Sequence, residues 1–592
     1  MLQSLFNIKL IALAAALGLN TEDWKNPSKA MVEQVTSLES AMKLIEEGKS
    51  ADVNKATEVA VTEIKKLADA GDKDAQFAIA LLAQGQQNGA AAAMKYYKDA
   101  ADQGQLQATN NLGFLTMAQA KGMPEAEAKV KVAEGVALIE KAANAGNTPA
   151  MRNMAQLYLT GQAGQTKNEA KGVALLEAAA KKDDGQAMYE LSQFYGNSAN
   201  TDKDRDEKAK SWLEQSATGK NPSPNGLDTL GSLYLSGGKI GLIKIDKDEA
   251  KAVSLFKTLA DEKNPVGLRK MGGLSESEKE VGGVKQDYNA AVKYYQAAAR
   301  GNDAIAQFRL ASMLDQGFAP GATAKDSPEV IKSKIIIQPN DAAALNLYKL
   351  AAQNNLPIAL YNVGVFYEQG RAVDKDVTKA FAAFLSAAES GVALGMQKAG
   401  IYYSQGAGTL KDPIAAAGWF ARAAAAKLPE AQLALGQVYE AGVGPADGNA
   451  NPYLSAATQY NDAVDNPNAS TNVQAEALLR LGSLYFRGAP SMTKDNQTPK
   501  PNFNNAYIYF KRAALLAPDA PLPKQLMEAA AKELKGNTAD GDKVAVELNA
   551  KRDATVKAAV EAAQKAAAPP EAAAPGAVVP AGKTPPKPKT VR

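Results

Sequence analysis

The chain contains no histidine and no cysteine in 592 residues, and only 3 tryptophans. These absences remove whole classes of chemistry. Ser-His-Asp and Cys-His nucleophile systems cannot be built, nor can zinc sites of the usual Cys/His kind. An imidazole switch near neutral pH is excluded as well. Without cysteine there are no disulfides and no lipid-anchored N-terminal cysteine, a pattern open to an exported protein and to a cytoplasmic one. Excess charge of either sign is missing too: 67 basic residues face 64 acidic ones, a net charge of +3. With no interleaved basic and aromatic stripe, that balance argues against nucleic acid as a partner. What is present is 46% hydrophobic residues with long alanine-rich stretches, the composition of a soluble, mostly helical protein.

The two ends differ from the middle. Residues 1–20 carry one lysine, an apolar run from Leu10 to Leu19 and the small residues Ala14-Ala15-Ala16. They read as a secretory signal peptide, the other reading being an amphipathic capping helix. The run is far too short to span a bilayer. Residues 569–592 hold seven prolines with Lys583, Lys587, Lys589 and Arg592, and are expected to form a disordered tail. Residues 21–72 read as N-terminal capping helices and 519–568 as C-terminal ones, with Asp542 to Ala568 as one helix.

Between them the chain repeats itself eleven times over residues 73–518. A first helix opens on a small residue at Ala75, Ala108, Ala150, Ala187, Gly226, Gly267, Ala306, Ala359, Gly395, Ala431 and Ala477. Four residues on is an apolar side chain, and five on is always small, as at Gly113, Gly231, Gly364, Gly436 and Gly482. Eight on is tyrosine in seven repeats: Tyr158, Tyr195, Tyr234, Tyr367, Tyr403, Tyr439 and Tyr485. Steps of four and eight share one helical face. A glycine inside a helix costs about 1 kcal/mol against alanine, so its recurrence predicts a neighbouring helix passing too close for a side chain. A second helix begins at Ala93, Gly135, Gly172, Ala209, Ala252, Ala291, Ala344, Ala380, Ala416, Ala456 and Ala506. Four residues later stands a large side chain (Tyr97, Ile139, Leu176, Leu213, Phe256, Tyr295, Tyr348, Phe384, Phe420, Tyr460, Phe510). Glycines such as Gly104, Gly146, Gly301 and Gly391 are expected to end second helices in left-handed caps. The fold expected is all-α: a right-handed α/α superhelical solenoid of tandem helix-turn-helix repeats.

The stretch Ala359-…-Gly364-x-x-Tyr367-x-x-Gly370, followed by Asp374-x-Asp376 and Ala380-…-Phe384-x-x-Ala387-Ala388-x-x-Gly391, resembles the Sel-one-like (Sel1-like) repeat. That family is a relative of the tetratricopeptide repeats, and the likeness runs from Ala75 to about Pro518. The resemblance implies a TPR-like scaffold for protein–protein contacts, often exported in bacteria. Some bacterial members staple each helix pair with a disulfide, which this chain cannot do. The repeat at Gly267 departs from the pattern, with Ser275 in place of tyrosine and Gly282-Gly283 in its connection.

No motif rises to an active site, and no catalytic, cofactor-binding or metal site is assigned. Asp202-x-Asp204-x-Asp206 lacks the glycine and the closing glutamate of a calcium loop. It reads, like Asp246/Asp248 and Asp374/Asp376, as a helix N-cap. Ser254-x-x-Lys257 matches a nucleophile spacing but lies inside a helix, without companion motifs. Two inserts depart from the repeat, Phe318 to Asn340 and Gly488 to Asn504, both joining a first helix to its second. Connections of that kind emerge on one edge of a solenoid. Ile335, Ile336 and Ile337 in the first insert either pack on the stack or contact a partner, and are the binding candidates. The function expected is a non-enzymatic scaffold for one or more proteins in the bacterial cell envelope, exported to the periplasm. The alternatives are a cell-wall-directed enzyme or small-ligand binder using groove carboxylates, and a cytoplasmic assembly or regulatory factor.

Overall fold

The computed structural model describes residues 50–566 apart from 87–88, 198, 200–201, 241–242, 321–333, 444–450 and 492–497. The expected signal segment, residues 21–49 of the N-terminal cap and the 569–592 tail lie outside the described residues. Described helices number 25, and they form an all-α solenoid of tandem pairs. The chain divides into two modules, Met1–Asp303 and Ala304–Arg592, a division that falls inside the repeat array and that the repeat pattern does not announce.

The N-terminal module begins with α1 (Ser50–Asp69), followed by six pairs. The first three are α2 (Lys73–Gln84) with α3 (Ala90–Asp102), α4 (Leu106–Ala118) with α5 (Glu125–Asn144), and α6 (Thr148–Thr160) with α7 (Glu169–Ala180). Then come α8 (Gly185–Gly196) with α9 (Arg205–Thr218), α10 (Pro224–Ser236) with α11 (Glu249–Asp261), and α12 (Pro265–Glu276) with α13 (Tyr288–Arg300). The C-terminal module pairs α14 (Ala304–Gln316) with α15 (Asp341–Gln353), α16 (Ile358–Gln369) with α17 (Val377–Glu389), and α18 (Ala393–Gln405) with α19 (Pro413–Ala425). It continues with α20 (Pro429–Glu440) and α21 (Pro452–Asp465), then α22 (Thr471–Arg487) and α23 (Phe503–Leu516). Two further helices follow, α24 (Pro521–Glu533) and α25 (Ala539–Ala566).

The core is built by the large residue of each second helix. Tyr97, Phe256, Phe384, Tyr460 and Phe510 are fully buried, as are Ile139, Leu176 and Leu213. Where the small residue of the first helix is glycine, the edge of its partner's ring lies against it. A Cβ placed at Gly231 would stand 2.7 Å from Phe256, at Gly364 2.6 Å from Phe384, at Gly436 2.4 Å from Tyr460, and at Gly482 2.5 Å from Phe510. The close neighbour inferred from the glycines is therefore the aromatic side chain of the partner helix.

The connections close by a shared device. The amide of the second helix's capping residue donates to the carbonyl eight positions into the first helix: Asn168 to Tyr158, Asp248 to Tyr234, Asp376 to Tyr367 and Asp412 to Tyr403. The same residue's side chain then accepts from an amide three residues on, at 3.0 Å for Asp248 and 2.9 Å for Asp376. Because the first bond uses only backbone, it survives where tyrosine is absent, as Asp287 to Ser275 and Asn340 to Leu314 show. The tyrosines themselves are not uniformly core residues. Tyr195 is buried, but Tyr158, Tyr234, Tyr367, Tyr403, Tyr439 and Tyr485 are half-buried. Lysines of the second helix cover several of their rings: Lys171 over Tyr158, Lys208 over Tyr195, Lys251 over Tyr234 and Lys379 over Tyr367.

Three local expectations change. The all-α pattern omits a hairpin, β1 (Gly238–Ile240) antiparallel to β2 (Ile243–Ile245), which buries Ile240 and Ile245. In the following repeat, Val281 and Val284 pair across Gly282-Gly283, whose φ of 55° and 88° suit a two-residue hairpin turn. At Asp202-x-Asp204-x-Asp206 the capping position is Asp204, which makes no side-chain cap bond, while Asp202 accepts from the Asp204 amide and from Lys208. Gly104, Gly146 and Gly391 take the left-handed conformation, but at Gly301 it is Asn302, one residue on, that has φ 67°.

Candidate protein-binding surface

Consecutive first helices touch one another (α4 with α6, α8 with α10, α16 with α18, α20 with α22), which places them on the inner side of each module. Most of their inward-facing side chains are polar: Asn111, Asn153, Glu190, Thr229 and Lys270 in the N-terminal module, Asn362, Lys398 and Arg480 in the other, with alanine at Ala78 and Ala434. They sit three positions after the small residue that opens each first helix, on the face opposite the packed rings.

Many of these groups bond across repeats. In the N-terminal module Asn153 donates to Asn110 at 2.9 Å, and Asn147 to Gln107 at 3.2 Å. Arg152 bridges Asp184 and Glu190, both at 3.2 Å. In the C-terminal module Lys398 holds Glu368 at 2.7 Å, and Arg480 reaches Glu440 at 3.3 Å. Acids on this face therefore alternate with cations. Burial raises the carboxyl pKa of Asp74 and of Glu262, but these lie on α2 and at the end of α11 and form no cluster. Among the described residues no group of three acids is placed to hold a metal ion. Ser254 and Lys257 are both exposed on α11.

A second rule links the two helices of a repeat and was missed in the sequence. Where the second helix carries tyrosine as its large residue, the first helix has a polar side chain nine positions in to receive the hydroxyl. Tyr97 donates to Gln84 at 2.7 Å, Tyr295 to Glu276 at 2.8 Å, Tyr348 to Asp315 at 3.3 Å and Tyr460 to Glu440 at 2.7 Å. Where the large residue is phenylalanine the position is free to vary: Leu235 and Phe486 are apolar, but Glu368 and Ser404 face Phe384 and Phe420. Buried hydroxyls need acceptors, so the rule runs one way, from tyrosine to a polar partner. Burial pushes the Tyr97 hydroxyl up to about 12, and burial together with the neighbouring Glu440 raises Tyr460 further.

The candidate isoleucines occupy the base of their insert. Ile337 is buried and Ile335 and Ile336 are half-buried. The Phe318 amide donates to the Ile337 carbonyl at 2.9 Å, and the Ile336 amide to the Phe318 carbonyl at 2.8 Å. These bonds close the insert where it leaves α14. The second insert is anchored likewise: the Lys500 amide donates to Ser491 Oγ at 2.7 Å. Residues 321–333 and 492–497 of the two inserts lie outside the described residues.

A profile of the Sel1 repeat matches ten segments: 148–184, 185–221, 230–264, 266–303, 304–329, 335–356, 357–392, 393–428, 429–451 and 475–517. Together they cover more than half of the chain. The chain belongs to the Sel1 repeat family. Its first two repeats, opening at Ala75 and Ala108, lie outside the matched segments. No curated protein matches the chain. Among solved structures it is similar to a protective antigen of uropathogenic Escherichia coli strains described as displaying an SLR fold, at 22% identity and a TM-score of 0.48, covering 89% of this chain and 99% of that one. It is also similar to a Sel1 repeat protein from Oxalobacter formigenes, at 23% identity and a TM-score of 0.39, covering 58% and 90% respectively. Sel1 repeats are typically scaffolds for protein–protein interaction. No described helix is long and apolar enough to cross a membrane.

Proposed function

We propose that this Sel1 repeat protein is a non-enzymatic scaffold of the bacterial cell envelope that holds one or more proteins against the inner faces of its first helices. One observation carries the reading. The side chains that repeat are consumed by internal packing, whereas the inward row at Asn111, Asn153, Glu190, Thr229 and Lys270 runs from two amides to an acid, a hydroxyl and a cation. A surface of that kind offers position-specific hydrogen bonds and charges along an extended partner, and variation between repeats is what makes such a surface selective. The mixing of acids with cations on this face favours recognition over hydrolysis, since a carboxylate catalyst needs neighbours that separate the two pKa values.

The envelope assignment rests on residues 1–20, whose short apolar run and small exit residues resemble a secretory leader. Two experiments test the reading. Photo-reactive side chains introduced at Thr229 and at Asn362 are expected to capture partner proteins in the native host, whereas one at Ala382, exposed on a second helix, is not. Capture at Ala382 alone, or turnover of cell-wall fragments by the purified chain, overturns the scaffold assignment. N-terminal sequencing of the native protein is expected to begin after about residue 20; an intact Met1 moves the protein to the cytoplasm.

A further inference from the structure

Two apolar side chains stand out in the C-terminal module. Leu410 is 87% exposed and Ile414 77% exposed, and they lie four residues apart where the connection from α18 enters α19. Leu454, 54% exposed, occupies the position of Ile414 in the following second helix, α21, two residues before its opening alanine. In the other nine repeats that position holds Ala91, Ala133, Ala170, Glu207, Ala250, Asn289, Ala342, Thr378 or Asn504, so a large apolar residue there is specific to these two neighbours. The outer face of α19 continues through Gly418, exposed Arg422 and exposed Ala425.

Gly418 is a separate anomaly. Glycines at the packed positions of other helices meet a ring or a backbone atom, but a Cβ at Gly418 would meet nothing within 4 Å. Its cost in helix propensity is therefore not offset by any contact among the described residues. Arg422 has its guanidinium over the Trp419 ring at 4.6 Å.

The chain itself shows what covers such a face. On α23 the residues equivalent to Ala417, Gly418, Ala421 and Arg422 are Tyr507, Ile508, Lys511 and Arg512, and α25 lies across them. Gly541 of α25 stands at the crossing, where an added Cβ would be 2.9 Å from Tyr507 and 3.6 Å from Ile508. Asp542 receives Tyr507 and Lys511, and Asn549 receives Arg512 at 3.1 Å. Ile508 and Arg512 are buried as a result.

We propose that α19 of a second copy of this chain packs antiparallel on α19, crossing at Gly418. The face is self-complementary. Asp412 caps its N-terminal end and Arg422 stands near its C-terminal end, so a twofold axis beside Gly418 brings each arginine toward the other copy's aspartate. The helix dipoles oppose one another in the same arrangement. Gly418 meeting its counterpart lets the two backbones approach closely, while Ile414 lies along the aliphatic stem of Arg422 in the other copy. Leu410 and Leu454 extend the contact on either side. A strip about 20 Å long and two helices wide gives on the order of 400 Å² per copy, half of a standard interface. The association is accordingly weak, with a micromolar constant.

The absence of cysteine supplies the test. Gly418→Cys introduces a lone thiol on an open helix face, and Ala382→Cys introduces one at the equivalent exposed position of α17. Under mild oxidation the first is expected to form a disulfide dimer and the second is not, since the bond needs Cα atoms within about 7 Å. Sedimentation from about 1 to about 100 µM, the span a micromolar constant requires, is expected to show a monomer–dimer equilibrium that Ile414→Asp weakens at least tenfold. A chain monomeric throughout overturns the proposal. So does a dimer indifferent to Ile414→Asp, or equal cross-linking at both thiols. Binding of the monomer to lipid vesicles that Ile414→Asp abolishes assigns the strip to a membrane surface and also overturns it. Melting of each variant checks that the fold is kept, as the exposure of both positions requires.

Discussion

Gly436→Ala tests the packing rule on which the fold rests. Replacing a helical glycine by alanine gains about 1 kcal/mol of helix propensity when nothing is in the way. At Gly436 the new methyl would stand 2.4 Å and 2.6 Å from two carbons of the Tyr460 ring. Favourable carbon contacts lie near 3.5–4.0 Å, so the ring must retreat by about 1 Å. It has little room to do so, because Tyr460 is fully buried and its hydroxyl is held by Glu440 at 2.7 Å. Overpacking of a tight core costs about 1–3 kcal/mol, which exceeds the propensity gain over most of that range and leaves a net loss of about 0–2 kcal/mol. Gly418→Ala, measured at a dilution where the proposed dimer is dissociated, is the control, since in the single chain its methyl meets open space and only the gain remains. Hydrogen exchange of α20 and α21 reports the local effect, with every 1.4 kcal/mol near tenfold in protection. Protection is expected to fall in Gly436→Ala and to rise over α19 in Gly418→Ala. Combining Gly436→Ala with Tyr460→Leu is expected to be milder than the sum, because the second change removes the obstructing ring. Equal stabilisation by the two alanines would refute the reasoning.

Glu440→Leu is expected to cost about 1–3 kcal/mol by stranding the buried Tyr460 hydroxyl and unpairing Arg480 and Arg487, and Tyr460→Phe in the same chain to restore only the hydroxyl's share, as a double-mutant cycle by urea unfolding can measure. Asn147→Ala removes an acceptor for the Ala150 amide in a buried cap, and a loss of about 1–2 kcal/mol is expected in exchange protection of α6. Tyr97 has its folded pKa raised to about 12 by burial, so the stability it contributes is complete below its unfolded pKa of about 10. That contribution is lost as pH rises from there toward 12, and Tyr97→Phe is expected to flatten this part of the alkaline unfolding curve. Deleting residues 321–333 is expected to leave the melting profile of the C-terminal module unchanged, because the backbone bonds between Phe318 and Ile337 close the insert beneath the deletion.

Some features were legible because they are local and repeated. The spacing of small, apolar and large residues marked both helices of all eleven repeats, and the acids at Asp248 and Asp376 cap as their positions imply. The hairpin at Gly238–Ile245 was not, since three isoleucines around a glycine occur once and match no period in their surroundings. The half-burial of most repeat tyrosines escaped for a related reason. Periodicity says that a residue faces a neighbour, while the depth to which it is covered depends on what packs around it from other helices.

The sequence by itself determined the architecture and the chemistry it forgoes: a tandem helix-pair solenoid without imidazole or thiol. Helical period and glycine spacing are properties of a single strand of residues, and they carry that much. Only the tertiary structure decided which neighbour each glycine admits, which hydroxyl each acid receives, and which apolar residues are left uncovered. Gly436 and Gly418 make the difference plain. Both are glycines within helices of the same module, yet one lies under a buried ring and the other faces open space. Burial is fixed by what arrives from elsewhere in the chain, and that information lies between helices.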